Sequence, residues 1–382
     1  MFLEFLYEYQ INIIKMAYKL LFKNQVEPVA VKNTMHNKPE PEIDQPSPSL
    51  EKHSFRFHGS ATEYFGIWMV NLMLTIITLT LYSPWAKARR IRYFYGNTQL
   101  LKHRFDFIAM PSRILLGRLL ALELYVVTVI LTNYSILATS SLFLIAAICL
   151  PWLIRMTLKF KARNSKYGNV RFHFCGSNRE AYRGLWLAIL INIFTLFLFS
   201  PVVIWLYKRY CFNHLSIGQL QFRLGIQWPK FMSAVYIPLC LCLLIGIAWS
   251  AAIVYWVDLI GTNLFTLGIV LSYLFCLALV WPMISARLYM YTWNHVELGQ
   301  SYFKTRVTTW RYSWIVLSNW IVRALSLGLM TPWASIRLYE YQLANLELYL
   351  AEDETNLKNI LQRDPSAIAD EVLDIFDFDA SL

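Results

Sequence analysis

The chain has 382 residues, of which 57% are hydrophobic and only 15% charged, with a mean hydropathy of +0.41 and a formal net charge of +11. Soluble domains average roughly 45–50% apolar and ~25% charged residues, so the composition excludes an ordinary soluble domain and points to an integral membrane protein. The charge is divided: residues 64–350 hold 26 Lys and Arg against 7 Asp and Glu, whereas residues 351–382 hold 9 acids against 2 bases. The cations flank apolar runs and no nucleic-acid motif accompanies them, so the expected partners are the lipid bilayer and its anionic headgroups, not nucleic acid.

Residues 1–24 read as an amphipathic helix lying in the membrane interface, with Lys15, Lys19 and Lys23 forming one stripe among apolar neighbours. The segment lacks a basic start and a small-residue cleavage site and carries Glu4 and Glu8, which argues against a signal peptide. Residues 25–54, with Pro28, Pro39, Pro41, Pro46 and Pro48, read as a flexible linker.

Two membrane repeats are expected next, 55–171 and 172–302, followed by a partial one at 303–350. A shift of 117 places Phe55, Phe57, Gly59, Ser60 and Glu63 on Phe172, Phe174, Gly176, Ser177 and Glu180, and Ser83-Pro84 on Ser200-Pro201. A shift of 248 brings Tyr64, Asn71, Pro84, Trp85, Arg89 and Asn97 onto Tyr312, Asn319, Pro332, Trp333, Arg337 and Asn345. Each full copy opens on alternating aromatics ended by glycine, which predicts a short strand and a turn at the membrane surface. An apolar helix follows and is predicted to end or kink at the Ser/Thr-Pro step, because proline donates no backbone hydrogen bond. Arg104-Phe105-Asp106-Phe107 is a second strand candidate.

Seven runs are about long enough to cross ~30 Å of hydrocarbon: 64–83, 114–137, 138–154, 184–206, 231–257, 262–286 and 312–333. The expected fold is therefore an all-α multi-pass bundle of about seven hydrophobic helices in two and a half repeats, with short surface strands. Cation-poor connectors near 132–140 and 258–263 are placed outside, and the cation-rich stretches 84–113 and 155–183 inside. Seven crossings, however, invert the second copy and send Lys208, Arg209, Arg223 and Lys230 outward. If 64–83, 184–206 and 312–333 do not cross, every basic segment stays inside. The uninterrupted length of these runs favours seven crossings.

Charge at membrane depth is costly, which singles out Glu123, Arg323 and Arg118. Glu123 and Arg323 lie near the middle of their runs and are predicted to pair across helices. Asn71, Asn192 and Asn319 are candidates for hydrogen bonds between helices. Trp85, Arg89, Arg92, Asn97, Arg337 and Asn345, beside the Pro-Trp steps, are candidates for anionic-lipid or phosphate contact at the interface. The acidic tail 351–382 is expected on the cytoplasmic side, either as a solvated end or docked on the protein's own basic face or on a protein partner. The six cysteines form no CxxC and the seven histidines no HExxH, so no metal, no cofactor and no catalytic residue is expected. The first functional expectation is a transporter or channel with a path between repeats beside Glu123 and Arg323. The alternative is a non-transporting membrane protein that binds anionic lipids or scaffolds partners.

The string Phe55-x-Phe57-x-Gly59 with Glu63-Tyr64-Phe65, then Tyr82-Ser83-Pro84-Trp85-Ala86-Lys87-x-Arg89, then Arg92-Tyr93 and Asn97-Thr98, resembles the YjgN family of bacterial inner-membrane proteins. The likeness covers roughly 53–350. The second copy has Val202, Val203 and Ile204 where the first has Trp-Ala-Lys. The third reads Phe303-Lys304-Thr305-Arg306-Val307 at its opening. The resemblance implies a bacterial inner-membrane location and no substrate or reaction.

Overall fold

The computed structural model describes residues 50–132, 136–255 and 262–351. The expected interfacial helix at 1–24, most of the linker and the acidic tail beyond Ala351 lie outside the described residues. Glu51–Ser54, read from sequence as the end of the linker, form a strand.

The architecture alternates helical and strand hairpins. The helices are α1 (Ala61–Ile77), α2 (Ser83–Gly96), α3 (Pro111–Thr132), α4 (Ile136–Arg163), α5 (Asn178–Phe194), α6 (Ser200–Asn213), α7 (Trp228–Tyr255), α8 (Thr262–Trp293), α9 (Thr309–Leu325) and α10 (Thr331–Ala344). The strands are β1 (Glu51–Ser54), β2 (Arg56–Phe57), β3 (Thr98–Leu100), β4 (His103–Phe107), β5 (Ser165–Tyr167), β6 (Val170–Phe174), β7 (Leu215–Ile217), β8 (Leu220–Leu224), β9 (Val296–Leu298), β10 (Ser301–Thr305) and β11 (Leu346–Leu350). Each helix packs on the next in the chain, and α10 returns to α1, so the helices form a ring.

The strands form one antiparallel sheet in the order β1-β11-β10-β9-β8-β7-β6-β5-β4-β3-β2. Its two edges, β1 and β2, are separated by Phe55 alone. One bent segment thus pairs with β11 on one side (Glu51↔Leu350) and with β3 on the other (Phe57↔Thr98), and the sheet closes into a barrel. Closure removes the exposed edges that would otherwise invite further pairing. The expectation of an all-α protein is corrected here. Its surface strands do not stay local to each copy but join every unit.

The expectation of about seven spans is also corrected, because among the described residues four helices are long and apolar enough to cross a membrane: Pro111–Thr132, Thr139–Arg163, Trp228–Ala251 and Thr266–Trp293. The runs 64–83, 184–206 and 312–333 are not single helices. Each breaks into helices of 17 and 14 residues. At ~1.5 Å per residue these are about 25 and 21 Å long, short of a ~30 Å core. The reversal sits several residues before the proline, at consecutive left-handed residues: Leu79 and Thr80, Leu196 and Phe197, Leu327 and Gly328. Side chains that are rarely left-handed gave no sign of a turn. The tips satisfy their own polar groups. Thr80 N–H reaches Thr75 O, Phe197 N–H reaches Asn192 O and Gly328 N–H reaches Arg323 O. Thr78 Oγ1 donates to Leu74 O and accepts from Tyr82 N–H, and Thr195 does the same with Ile191 and Phe199. Such closure lets an apolar tip enter hydrocarbon, where an unpaired backbone group costs several kcal/mol. Leu79, Leu196 and Leu327 at the three tips are 85%, 87% and 94% exposed.

All five helix-to-strand junctions among the described residues share one construction. Asn97, Asn164 and Asn345 donate Nδ2 to the carbonyl four residues back, and His214 and His295 bond there through Nδ1. The carbonyls of the same five residues accept from His58, Ile108, Cys175, Gly225 and Arg306 N–H, tying each strand hairpin to the next. Thirteen residues ahead of each cap stands a fully buried proline: Pro84, Pro151, Pro201, Pro282 and Pro332. In the short hairpins it starts the second helix, where its missing N–H has no partner to lose.

Candidate functional site

Period-two alternation turns one face of each strand into the barrel. In β8, Phe222 and Leu224 are buried while Gln221 and Arg223 are exposed, and in β10 Phe303 is buried between the exposed Tyr302 and Lys304. The inward positions collect five phenylalanines from five places in the chain. Their ring centroids run Phe105–Phe55 at 6.4 Å, Phe55–Phe303 at 6.4 Å, Phe303–Phe222 at 6.2 Å and Phe222–Phe172 at 6.3 Å, with Tyr167 4.9 Å from Phe105. Aromatic spacings of this kind are favourable pair geometries.

These rings line a cavity of about 560 Å³ that extends from the lumen to the ends of α2, α4, α6, α8 and α10. Its wall is almost wholly apolar, and the polar groups it does contain mostly serve one another. Thr98 Oγ1 donates to Phe94 O and stands 2.9 Å from Tyr339 OH, Tyr167 OH donates to Leu100 O, and Tyr289 OH donates to Gln342 O. Burial pushes the Cys211 thiol up, against smaller opposing pulls from Tyr207, Lys161 and Lys208. It therefore stays protonated at neutral pH and acts as a small apolar wall group. Lys161, exposed at the end of α4, is the one lysine or arginine in the lining. A mostly apolar cavity of several hundred Å³ with few polar groups has the usual chemistry of a ligand site.

A family described as a bacterial protein of unknown function (DUF898) matches residues 52–375. The chain belongs to this family. It is also similar to the proteins named "Inner membrane protein YjgN" of Escherichia coli strain K12 and Salmonella typhimurium strain LT2. The first is 32% identical over 134 residues, 35% of this chain and 32% of that protein. The second is 30% identical over 131 residues, 34% of this chain and 33% of that protein. The chain thus matches about a third of the length of these curated relatives. No solved structure matches.

In this DUF898 chain the residues singled out from sequence fall outside the chamber and divide by role. Glu123 is exposed on α3, whereas Arg323 donates Nη2 to Ser335 Oγ at 3.4 Å, so the structure does not pair them. Glu123 lies within the candidate span Pro111–Thr132, but the depth expected for Arg323 assumes that 312–333 crosses as one helix, and the turn at Leu327 removes that geometry. Arg118 reaches across to Ser83 Oγ. Asn71 is buried with no partner for its Oδ1, while Asn319 is buried, donates to Ala334 O at 2.9 Å and accepts from Arg337.

The interfacial candidates are largely engaged within the protein. Arg92 donates Nε to Phe107 O and Nη2 to Ala109 O, clamping α2 to the end of β4. Arg337 bonds Ser318 Oγ at 2.8 Å and lies over the Trp333 ring. Asn97 and Asn345 are helix caps. Trp85 is 37% exposed and stacks on Tyr82, and Arg89 is exposed on α2. Sequence reasoning missed the chamber because its phenylalanines were read as strand markers one copy at a time. The signal was present: Phe105, Phe172, Phe222 and Phe303 each stand eight residues after a capping Asn or His.

Proposed function

We propose that this is a multi-pass inner-membrane protein whose axial chamber holds the apolar chain of an anionic amphiphile, with the acidic end toward Lys161. The observation that carries this reading is the run of five phenylalanines lining a cavity whose wall holds a single lysine and no arginine. Each methylene moved from water into such a lining contributes about 0.8 kcal/mol, so a long chain has ample driving force. The inner-membrane placement rests on the names of the relatives and on four candidate spans, α3, α4, α7 and α8. All four strand hairpins and the closing strands β1, β2 and β11 belong to one barrel, so every basic junction lies on one side, which the positive-inside rule makes cytoplasmic. The three short hairpins then dip into the bilayer and return.

The test is equilibrium binding of a radiolabelled long-chain fatty acid and of its methyl ester to the delipidated protein in detergent. The expected result is that Phe222→Arg abolishes binding of both. Lys161→Gln weakens the acid about tenfold and leaves the ester unchanged. If neither variant alters binding of the acid, the reading fails. Transport along the axis is the second reading, favoured by the chamber's position at the centre of the helix ring. It predicts that proteoliposomes pass a solute and that Phe222→Arg changes the flux.

A further inference from the structure

A second cavity, about 500 Å³, opens outside the barrel between α4 and the hairpin α5–α6. Its two ends differ in chemistry. Toward the hairpin tip the walls are Pro151, Ile154, Leu185, Ala188, Val203 and Leu206. Toward the barrel the lining includes three guanidinium groups, Arg179 and Arg183 from α5 and Arg209 from α6. Arg179 and Arg183 stand one helical turn apart and so share a face of α5. Both are exposed, and neither makes a side-chain hydrogen bond or ion pair among the described residues. Arg209 lies over the Trp205 ring at 5.1 Å.

The one carboxylate in the lining is engaged by partners other than Arg179 and Arg183. Glu180 is held by Ser177, whose Oγ donates at 2.9 Å, and by His214 Nε2 at 3.1 Å. Burial works against its charge, yet Ser177 and His214 together keep its carboxyl below the ordinary range. Arg155 fixes the spacing between α4 and the start of α5 by donating Nε to Gly176 O at 2.6 Å.

The cluster is particular to this hairpin. Positions aligned with Arg179 and Arg183 are Thr62 and Gly66 in α1, and Trp310 and Trp314 in α9. Arg209 aligns with Arg92, which is committed to Phe107 and Ala109, and with Glu340. A conserved-looking packing contact among the hairpins therefore does not explain the three arginines.

We infer that this groove is a binding site for one anionic phospholipid, its phosphate among Arg179, Arg183 and Arg209 and a chain along the Pro151–Val203 wall. The continuity of apolar wall and cation cluster, at the level where the helices leave the barrel, matches a headgroup joined to a tail. A free phosphate would use only half of it. Basic pockets between helices on the cytoplasmic side are suited to such headgroups. The inference does not depend on the chamber.

The test is native mass spectrometry of the whole protein in detergent with phosphatidylglycerol, phosphatidylcholine or inorganic phosphate added. The comparison is between wild type and the Arg179→Gln/Arg183→Gln double variant. Because both side chains are exposed and unbonded, the variant is expected to unfold at the wild-type temperature. The expected result is phosphatidylglycerol retained over phosphatidylcholine by wild type, about tenfold weaker retention by the variant, and no displacement by phosphate. Phe222→Arg should leave this retention unchanged, which separates the groove from the chamber. Equal retention by variant and wild type overturns the inference, as does equal retention of phosphatidylcholine. Displacement by inorganic phosphate overturns the lipid assignment.

Discussion

Replacing Glu347 by Gln probes the seam where the barrel closes. Glu347 on β11 stands opposite Ser54 of β1 and Lys304 of β10. Its carboxylate meets Lys52 Nζ at 2.9 Å and Arg306 Nε at 2.9 Å, and accepts from Tyr349 OH at 3.2 Å. Hydrogen bonds to charged groups contribute roughly 1.5–3 kcal/mol each. Here only the acid is buried, at 6% side-chain exposure, while Lys52 and Arg306 are 41% and 62% exposed. Solvent screening on the cationic side brings the set down to about 2 kcal/mol. For a chain of this size that corresponds to a fall in Tm of about 2–3 °C, readable by tryptophan fluorescence in detergent. Lys52→Gln should give about half the loss, and the two substitutions should not add, because they remove one contact.

The pH dependence has a defined sign. Burial tends to raise the Glu347 pKa, but Lys52, Tyr349 and Arg306 outweigh it and hold the carboxyl below the usual range. The contribution is therefore complete above the unfolded glutamate value of about 4.3 and is lost as pH falls through the lower folded value. The Tm gap between wild type and Glu347→Gln should hold from about pH 7 to 5 and close only below about pH 4. No gap at neutral pH, or a gap that closes between pH 7 and 5, would refute the reasoning about the seam.

Three further outcomes follow from the geometry. Gly176→Ala would set a Cβ 2.6 Å from the Phe174 ring and 2.7 Å from Tyr210 OH, so it should destabilise by about 1–3 kcal/mol in thermal unfolding, whereas Gly66→Ala, with open space around it, should cost nothing. In a cysteine-free background, single cysteines at Tyr134 and Gly261 should react with an impermeant maleimide from the same side of sealed vesicles; opposite sides would restore seven crossings. Asn319→Leu removes the donor to Ala334 O and an acceptor for Arg337, and should lower stability by about 1–3 kcal/mol; an unchanged Tm would mean that the α9–α10 hairpin does not rely on this buried amide.

Features set by neighbouring residues were legible in the sequence. The Phe-x-Phe alternation predicted strands, and Pro84, Pro201 and Pro332 mark helix boundaries. What was not legible depends on distant partners or on rare backbone states. Glu51–Ser54 pair with residues nearly three hundred positions away, and nothing local separates such a strand from the end of a linker. The reversals at Leu79, Leu196 and Leu327 use left-handed residues with apolar side chains, so an unbroken hydropathy run concealed a turn. The concealed turn at Leu327 also misplaces the site, because Arg323 stands out in the sequence only as a charge at the middle of 312–333, while Glu123 keeps its place within a candidate span. The chamber phenylalanines are ordinary strand residues one unit at a time, and only barrel closure gathers them.

The most direct measurement is photocrosslinking of a diazirine-bearing long-chain fatty acid to the protein in lipid bilayers, with adducts mapped by peptide mass spectrometry. The account predicts adducts on Phe55, Phe222, Phe303 and Leu348 that excess unlabelled acid removes. Adducts confined to outward-facing positions such as Ile247 and Leu271, and insensitive to competition, would contradict it.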